Sequence, residues 1–330
     1  MDRTVRAVVA DALPGATVVS VATPAAGNTK RTAFVILADG RELVVQSRPA
    51  GSGLRTEAHL AREVGRRTEV PAPRVIATGT VDGTEYVLAE RADGDDLHAR
   101  FVDLEPRDCE AVVRSLGRWL AELHAAFEFE GYGPVTLADE GERLVVAEPS
   151  TDWRAWFRGY TERALSRLRD GPGEGFDDLV PRVREAVEAD IEDLPTRPPA
   201  RLFPWDLRPG NATVADGTVT ALLDWGDPLA AARELSVAKA AYVTVDWYLP
   251  DPDATEGLRT AFLEGYRDRL ALPDRSGSER RLYRLAAVAA SAIDSRGRVT
   301  RPRYPELDDP DAVEFHRRHL LAALNGETRV

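Results

Sequence analysis

"FPWDLRPGN", residues 203–211, holds an aspartate at 206 and, five positions on, an asparagine at 211. Thirteen residues further, "LLDWGDP" adds a second aspartate at 224. Two acids and an amide this close, each beside an apolar run, are either an accident of an acidic chain or hard oxygen donors gathered around a magnesium nucleotide. Pro209-Gly210 suits a tight return of the chain, so Asp206 and Asn211 can face one cleft.

The rest of the sequence supplies the frame. A chain of 330 residues, 43% of them hydrophobic, suffices for two lobes with a sizeable core. The formal net charge of −12 argues against a general nucleic-acid binder, which carries a basic face. An acidic protein still binds ATP where magnesium and a few local donors offset the phosphate charge. Of the 43 basic residues only Lys30 and Lys239 are lysines. That bias suits a GC-rich genome or a salt-loving cell, and we lean to the second, a haloarchaeon or similar. Cys109 is the single cysteine, so no intrachain disulfide forms and a reducing compartment is expected. The N-terminus lacks a long apolar run, and no stretch reaches the length of a membrane span, so a cytoplasmic protein without a membrane partner is expected. The histidines and the cysteine are scattered, without zinc spacing.

Residues 1–13 read as an amphipathic helix. Val18–Ala22, Thr32–Leu37 and Glu42–Gln46 read as strands, with "ADG" as a hairpin turn. Leu54, Ala58, Ala61 and Val64 recur near helical spacing, and "VPAPRVIATG" and "EYVLAER" add two strands around "VDG". From about residue 93 the texture turns helical: Val112, Leu116, Trp119, Leu120, Leu123 and Phe127 form one stripe. Further helices are expected at 152–169, 177–193, 229–245, 254–270, 277–296 and 310–325, interrupted by strand-like segments at 200–203, 211–215 and 219–223.

In this order, "VPAPRV", "YVLAERADGDDL", "LGRWLAELHAAF", "FPWDLRPGN" and "LLDWGDP" make the chain resemble the aminoglycoside phosphotransferase family over most of residues 15–245. Singly, each piece is ordinary for a chain with 30% charged residues; the ordered set carries the resemblance. It implies an α+β, protein-kinase-like two-lobe fold. Residues 1–92 would form a small antiparallel five-stranded N-lobe with one helix that binds nucleotide. Residues 93–330 would form a larger, mainly helical C-lobe for catalysis and acceptor binding. It also implies an ATP- and Mg2+-dependent kinase acting on a hydroxyl of a small molecule such as an aminoglycoside, a sugar or an amino alcohol. Asp206 would be the catalytic acid–base residue, and Asn211 and Asp224 the metal ligands. Gly27, Asn28 and Lys30 would border the phosphates, and Glu90 would lie at the adenine hinge.

Two departures stand out against the resemblance. The family commonly writes His-Gly-Asp where this chain has Pro204-Trp205-Asp206. Its third strand commonly carries a basic residue paired with a helix glutamate. Glu57 fits the glutamate, but the strand position is Gln46, which carries no charge. Lys30, or Arg48 on the same strand face as Gln46, is the candidate replacement. A pseudokinase, a nucleotide- or partner-binding module without turnover, is the alternative reading. Asp227, Glu234 and Asp246 lie where a cationic acceptor would be attracted. A monomer or homodimer is expected.

Overall fold

The computed structural model describes residues 2–24, 30–138, 143–171, 173–248, 252–272, 275–302 and 305–327. The chain opens with α1 (Asp2–Ala12), followed by β1 (Val18–Ala22), β2 (Arg31–Leu37) and β3 (Glu42–Pro49). Next come α2 (Leu54–Arg67), β4 (Val75–Val81) and β5 (Thr84–Glu90). The five strands form one antiparallel sheet in the order β1-β2-β3-β5-β4, as the alternation predicts. Leu43 and Val45 of β3 pack with Val5, Val8 and Val9 of α1 on one face. Val44 and Gln46, one residue out of phase, line a cleft on the other face. Gln46 lies opposite Thr32 on β2 and Val87 on β5.

After Glu90 the chain crosses to β6 (Asp95–Asp96), α3 (Leu97–Arg100) and α4 (Pro106–Ala126). Gly94, at φ +101°, makes the crossing possible: a Cβ there would lie 2.5 Å from the Val214 carbonyl oxygen. The remaining elements are β7 (Glu128–Phe129), β8 (Gly133–Leu137), β9 (Leu144–Val146), α5 (Trp153–Asp170) and α6 (Leu179–Asp190). Then follow β10 (Ala200–Phe203), β11 (Ala212–Ala215), β12 (Thr218–Leu222), β13 (Leu229–Ala232) and α7 (Arg233–Ala241). The last helices are α8 (Pro252–Arg267), α9 (Gly277–Ala292) and α10 (Asp309–Leu324). No helix among the described residues is long and apolar enough to cross a membrane.

Three sequence expectations are corrected here. Residues 229–232 are not the start of a helix. They form β13, paired with all four residues of β10, and this pairing overrides alanine's helix preference. The helix that follows ends in a π-helical turn, Tyr242–Asp246, a rare form frequent at functional sites. The helical part of the chain also carries two small sheets, β7-β10-β13-β8-β9 and β12-β11-β6. Strands as short as β7 or β9 span too few residues for alternation to reveal them.

Candidate active site

Strand β10 ends at Phe203 and releases the loop that carries Asp206. The amide of Asn211 donates to the Asp206 backbone oxygen (2.8 Å) and to its Oδ2 (3.1 Å), and Arg208 Nε donates to the same Oδ2 (2.9 Å). Burial by itself would raise the Asp206 pKa. The charges of Arg208 and Lys239 and the two side-chain donors outweigh it, so the carboxyl sits below its ordinary value and is ionised.

The backbone N–H of Leu223 donates to the Asn211 carbonyl (2.7 Å), which sets Asp224 beside the loop. Asp224 has φ +59°, and its carboxylate is 48% exposed. A non-glycine residue in this region costs about 1–3 kcal/mol and persists where the surroundings enforce it, often at functional sites. Trp225 enforces it here: its buried indole N–H donates to Leu222 O (3.0 Å).

Across the cleft stands Lys30, just before β2. Its ammonium meets Glu57 Oε1 of α2 and Asp224 Oδ1 (2.7 Å). Burial would lower the lysine pKa, but the two carboxylates raise it above its ordinary value, so the side chain is a cation. Glu57 is buried rather than solvated, and its Oε2 has no partner among the described residues. Arg48, the other candidate, donates from its Nη1 to Ser52 O (3.3 Å), and its charge reaches Glu57 only at a distance. Lys30 thus stands in the ion pair that Gln46 cannot form, reached from β2 instead of β3.

The cleft behind this pair has a volume of ≈ 480 Å³. Phe34, Val44, Val75 and Val87 give it apolar walls, and Gln46, Glu57, Glu90 and Asp224 reach it from the polar side. At its edge Glu90 N donates to Arg74 O (2.9 Å), and its carboxylate pairs with Arg74 (2.8 Å). Gly27 and Asn28 lie outside the described residues.

The acidic residues expected to draw a cationic acceptor are corrected by the structure. Asp246 is buried between Arg259 and Arg284, and Glu234 is buried between Arg275 and Arg233. Their charges are already answered; only Asp227 is exposed. His124 is a core residue whose Nδ1 accepts from the Tyr266 hydroxyl (2.7 Å) if the hydroxyl is the donor. Burial lowers its pKa to about 3. Sequence reasoning missed Arg208 and Lys239 as neighbours of Asp206. Arg208 lies two residues from the acid, a signal that was available; Lys239, 33 positions on, gave none.

The site fits a magnesium nucleotide. Among the described residues no group of three or more His, Cys, Asp or Glu is gathered for a metal ion. Magnesium takes one or two protein carboxylates and otherwise relies on phosphate oxygens and water, and Asp224 offers one half-exposed carboxylate beside Asn211. Gly226 leaves the space open: a Cβ there would approach Asp224 Oδ1 to 3.3 Å and the unpartnered Glu57 Oε2 to 3.4 Å.

Comparison with known proteins follows the same lines. The sequence profile of the phosphotransferase enzyme family matches residues 20–275. The crystal structure of aminoglycoside phosphotransferase APH(4)-Ia superposes with a TM-score of 0.70 at 16% identity, covering 99% of each chain. A thermostable mutant of that protein, in ternary complex with AMP-PNP and hygromycin B, gives 0.68 at 17% identity over 98% of this chain and 99% of that one. A Thermobifida fusca YX-ER1 protein assigned as a fructosamine-3-kinase gives 0.60 at 22% identity, over 97% and 99%. At these identities the structures share the fold. No curated protein matches by sequence.

Proposed function

This chain belongs to the phosphotransferase enzyme family, and from its site we propose that it transfers a phosphoryl group from ATP to a hydroxyl of a small molecule, with magnesium. The carrying observation is that Asp206 and Asn211 lie against Asp224, whose carboxylate in turn meets the Lys30–Glu57 ion pair. Residues 1–92 would hold the nucleotide, and residues 93–330 would hold the acceptor and the catalytic loop.

Each residue has a role its geometry allows. Asp206, ionised, orients the acceptor hydroxyl and takes its proton. Asn211 and Asp224 would hold the magnesium ion, which neutralises phosphate charge when bound. Lys30 meets the phosphates, and Glu57 fixes its direction. Gln46 lines the cleft as a neutral donor, Glu90 marks the edge where the adenine would sit, and Gly27 and Asn28 remain candidates for the phosphate-covering turn. The AMP-PNP and hygromycin B held by the aminoglycoside phosphotransferase support a nucleotide donor and a small-molecule acceptor. The pseudokinase alternative rested on Gln46 and the missing histidine; the Lys30–Glu57 pair speaks against the first ground, and the retention of Asp206, Asn211 and Asp224 against the reading as a whole. With Glu234 and Asp246 consumed by arginines, no preference for a cationic acceptor is carried forward.

Calorimetric titration of ATP, with and without magnesium, tests the reading without knowledge of the acceptor. Binding should depend on magnesium, and Asp224→Asn should lose that dependence. Absence of ATP binding, or binding indifferent to magnesium in the unaltered chain, overturns it.

A further inference from the structure

The chain keeps only two lysines among its 43 basic residues, and both lie at this site. Lys30 has its role above. Lys239, on α7, is 3% exposed, deep for a charged side chain. Its ammonium donates to the Trp205 carbonyl oxygen (2.5 Å) and lies 3.5 Å from the Trp205 ring centroid. The donor therefore grips the peptide immediately before Asp206. Pro204, one residue earlier, has no N–H to offer. Five residues along the same segment, Thr244 in the π-helical turn donates to Leu207 O (3.2 Å), immediately after Asp206.

We propose that Lys239 is a positioning residue: its buried ammonium hangs the Asp206 loop from α7 through the Trp205 carbonyl, with Thr244 as the second point of suspension. This rests on the phosphotransferase reading of Asp206.

The charges around Lys239 are specific. Asp206 favours its protonated form; Arg208 of the loop and Arg167 of α5 oppose it. On α9, Arg284 answers Asp246, and Tyr283 faces Glu234. Burial, the largest influence, brings the Lys239 pKa down to about 7. The suspension should therefore weaken as pH rises through neutrality in the unaltered chain, but not in K239R, whose guanidinium stays charged.

Hydrogen–deuterium exchange of the full chain, compared between the unaltered protein, K239M and K239R, reads the loop without needing the acceptor. In K239M the peptide covering 203–211 should exchange about tenfold faster, with the β2–β5 peptides unchanged. ATP hydrolysis with water as acceptor should fall about 100-fold in K239M, the scale of a roughly 1 Å misplacement, while the calorimetric ATP affinity holds. K239R should keep the loop protected and lose the decline in hydrolysis above pH 7. Unchanged exchange at 203–211 in K239M overturns the proposal. Should K239M not fold, K239Q is compared in its place under the same criterion. Failure of the phosphotransferase reading would look different: no hydrolysis in the unaltered chain at any pH, whatever the loop exchange.

Discussion

Asp206 and Asp246 are both carboxylates set between two cations, and they do opposite work. Asp246 spends both oxygens: Arg259 reaches Oδ1 (2.5 Å) and Arg284 reaches Oδ2 (2.9 Å), and the whole group is buried. At Asp206, Arg208 and the Asn211 amide share Oδ2, and Lys239 goes to the backbone instead. Among the described residues Oδ1 of Asp206 takes no hydrogen bond, and the side chain is 26% exposed. Both acids are held ionised, because their cations outweigh the cost of burial. A charge whose oxygens are all committed can only hold structure together. A charge with one oxygen left over can accept a proton.

Substitution should separate the two. Asp206→Asn keeps the shape and an acceptor oxygen for Arg208 and Asn211 but removes the base, so turnover should fall by about 10²–10⁴-fold, the worth of a positioned general base. Its unfolding midpoint should move little by comparison. Asp246→Asn removes the buried carboxylate that Arg259 and Arg284 share and should cost about 3–5 kcal/mol in urea unfolding. Its remaining folded fraction should bind ATP normally. If Asp246→Asn abolished turnover without loss of stability, the distinction between the two acids would be wrong.

What the sequence revealed divides along the same line. The five-stranded sheet and α2 were legible because alternation and helical spacing are local properties, and Leu43, Val45, Ala58 and Val64 lie buried where those periods put them. Asp206, Asn211 and Asp224 were legible because one loop and one strand hairpin bring them together over 19 residues. The cations were legible only in part: Lys30 stood as a candidate beside Arg48, and Lys239 gave no signal. Lys30 meets Asp224 across 194 positions, and Lys239 meets Trp205 across 34, so only the folded chain pairs them. Glu234 and Asp246 misled for the same reason. An acid looks free in sequence until Arg259 and Arg284 arrive from later helices and Arg275 from the turn before α9.

Lys30 sharpens the comparison from the nucleotide side. It bridges Glu57 and Asp224, and both of those partners line the open cleft. Lys30→Met should weaken ATP binding by about 2 kcal/mol, roughly 30-fold, as expected for a lost hydrogen bond to a charged group. Arg48→Ala should leave the affinity unchanged, because its guanidinium is turned to Ser52. Calorimetry on the two variants decides; a loss in Arg48→Ala with none in Lys30→Met would mean that the strand arginine, and not Lys30, serves the phosphates.

The smallest expected effect lies beside Asp246, in the dependence of stability on pH. Tyr242 supports Arg284 with its ring (4.7 Å), and its hydroxyl lies 2.7 Å from His316 Nδ1. His316 Nε2 lies 2.8 Å from the Thr300 carbonyl oxygen, which can only accept. The ring is therefore neutral, with its proton on Nε2, and Nδ1 accepts from the tyrosine. Burial lowers the His316 pKa to about 4, with the Thr300 bond opposing. Since the unfolded chain takes the proton more readily, the stabilisation is complete above pH of about 6.5. It is lost progressively as pH falls towards 4. Between pH 6.5 and 5 this one residue should remove about 1.5 kcal/mol, about 1.4 kcal/mol per pH unit on the steep part. His316→Gln should lower stability at pH 8 yet flatten that slope in urea unfolding. A slope unchanged by the substitution would place the acid sensitivity elsewhere and leave the Asp246 cluster indifferent to pH.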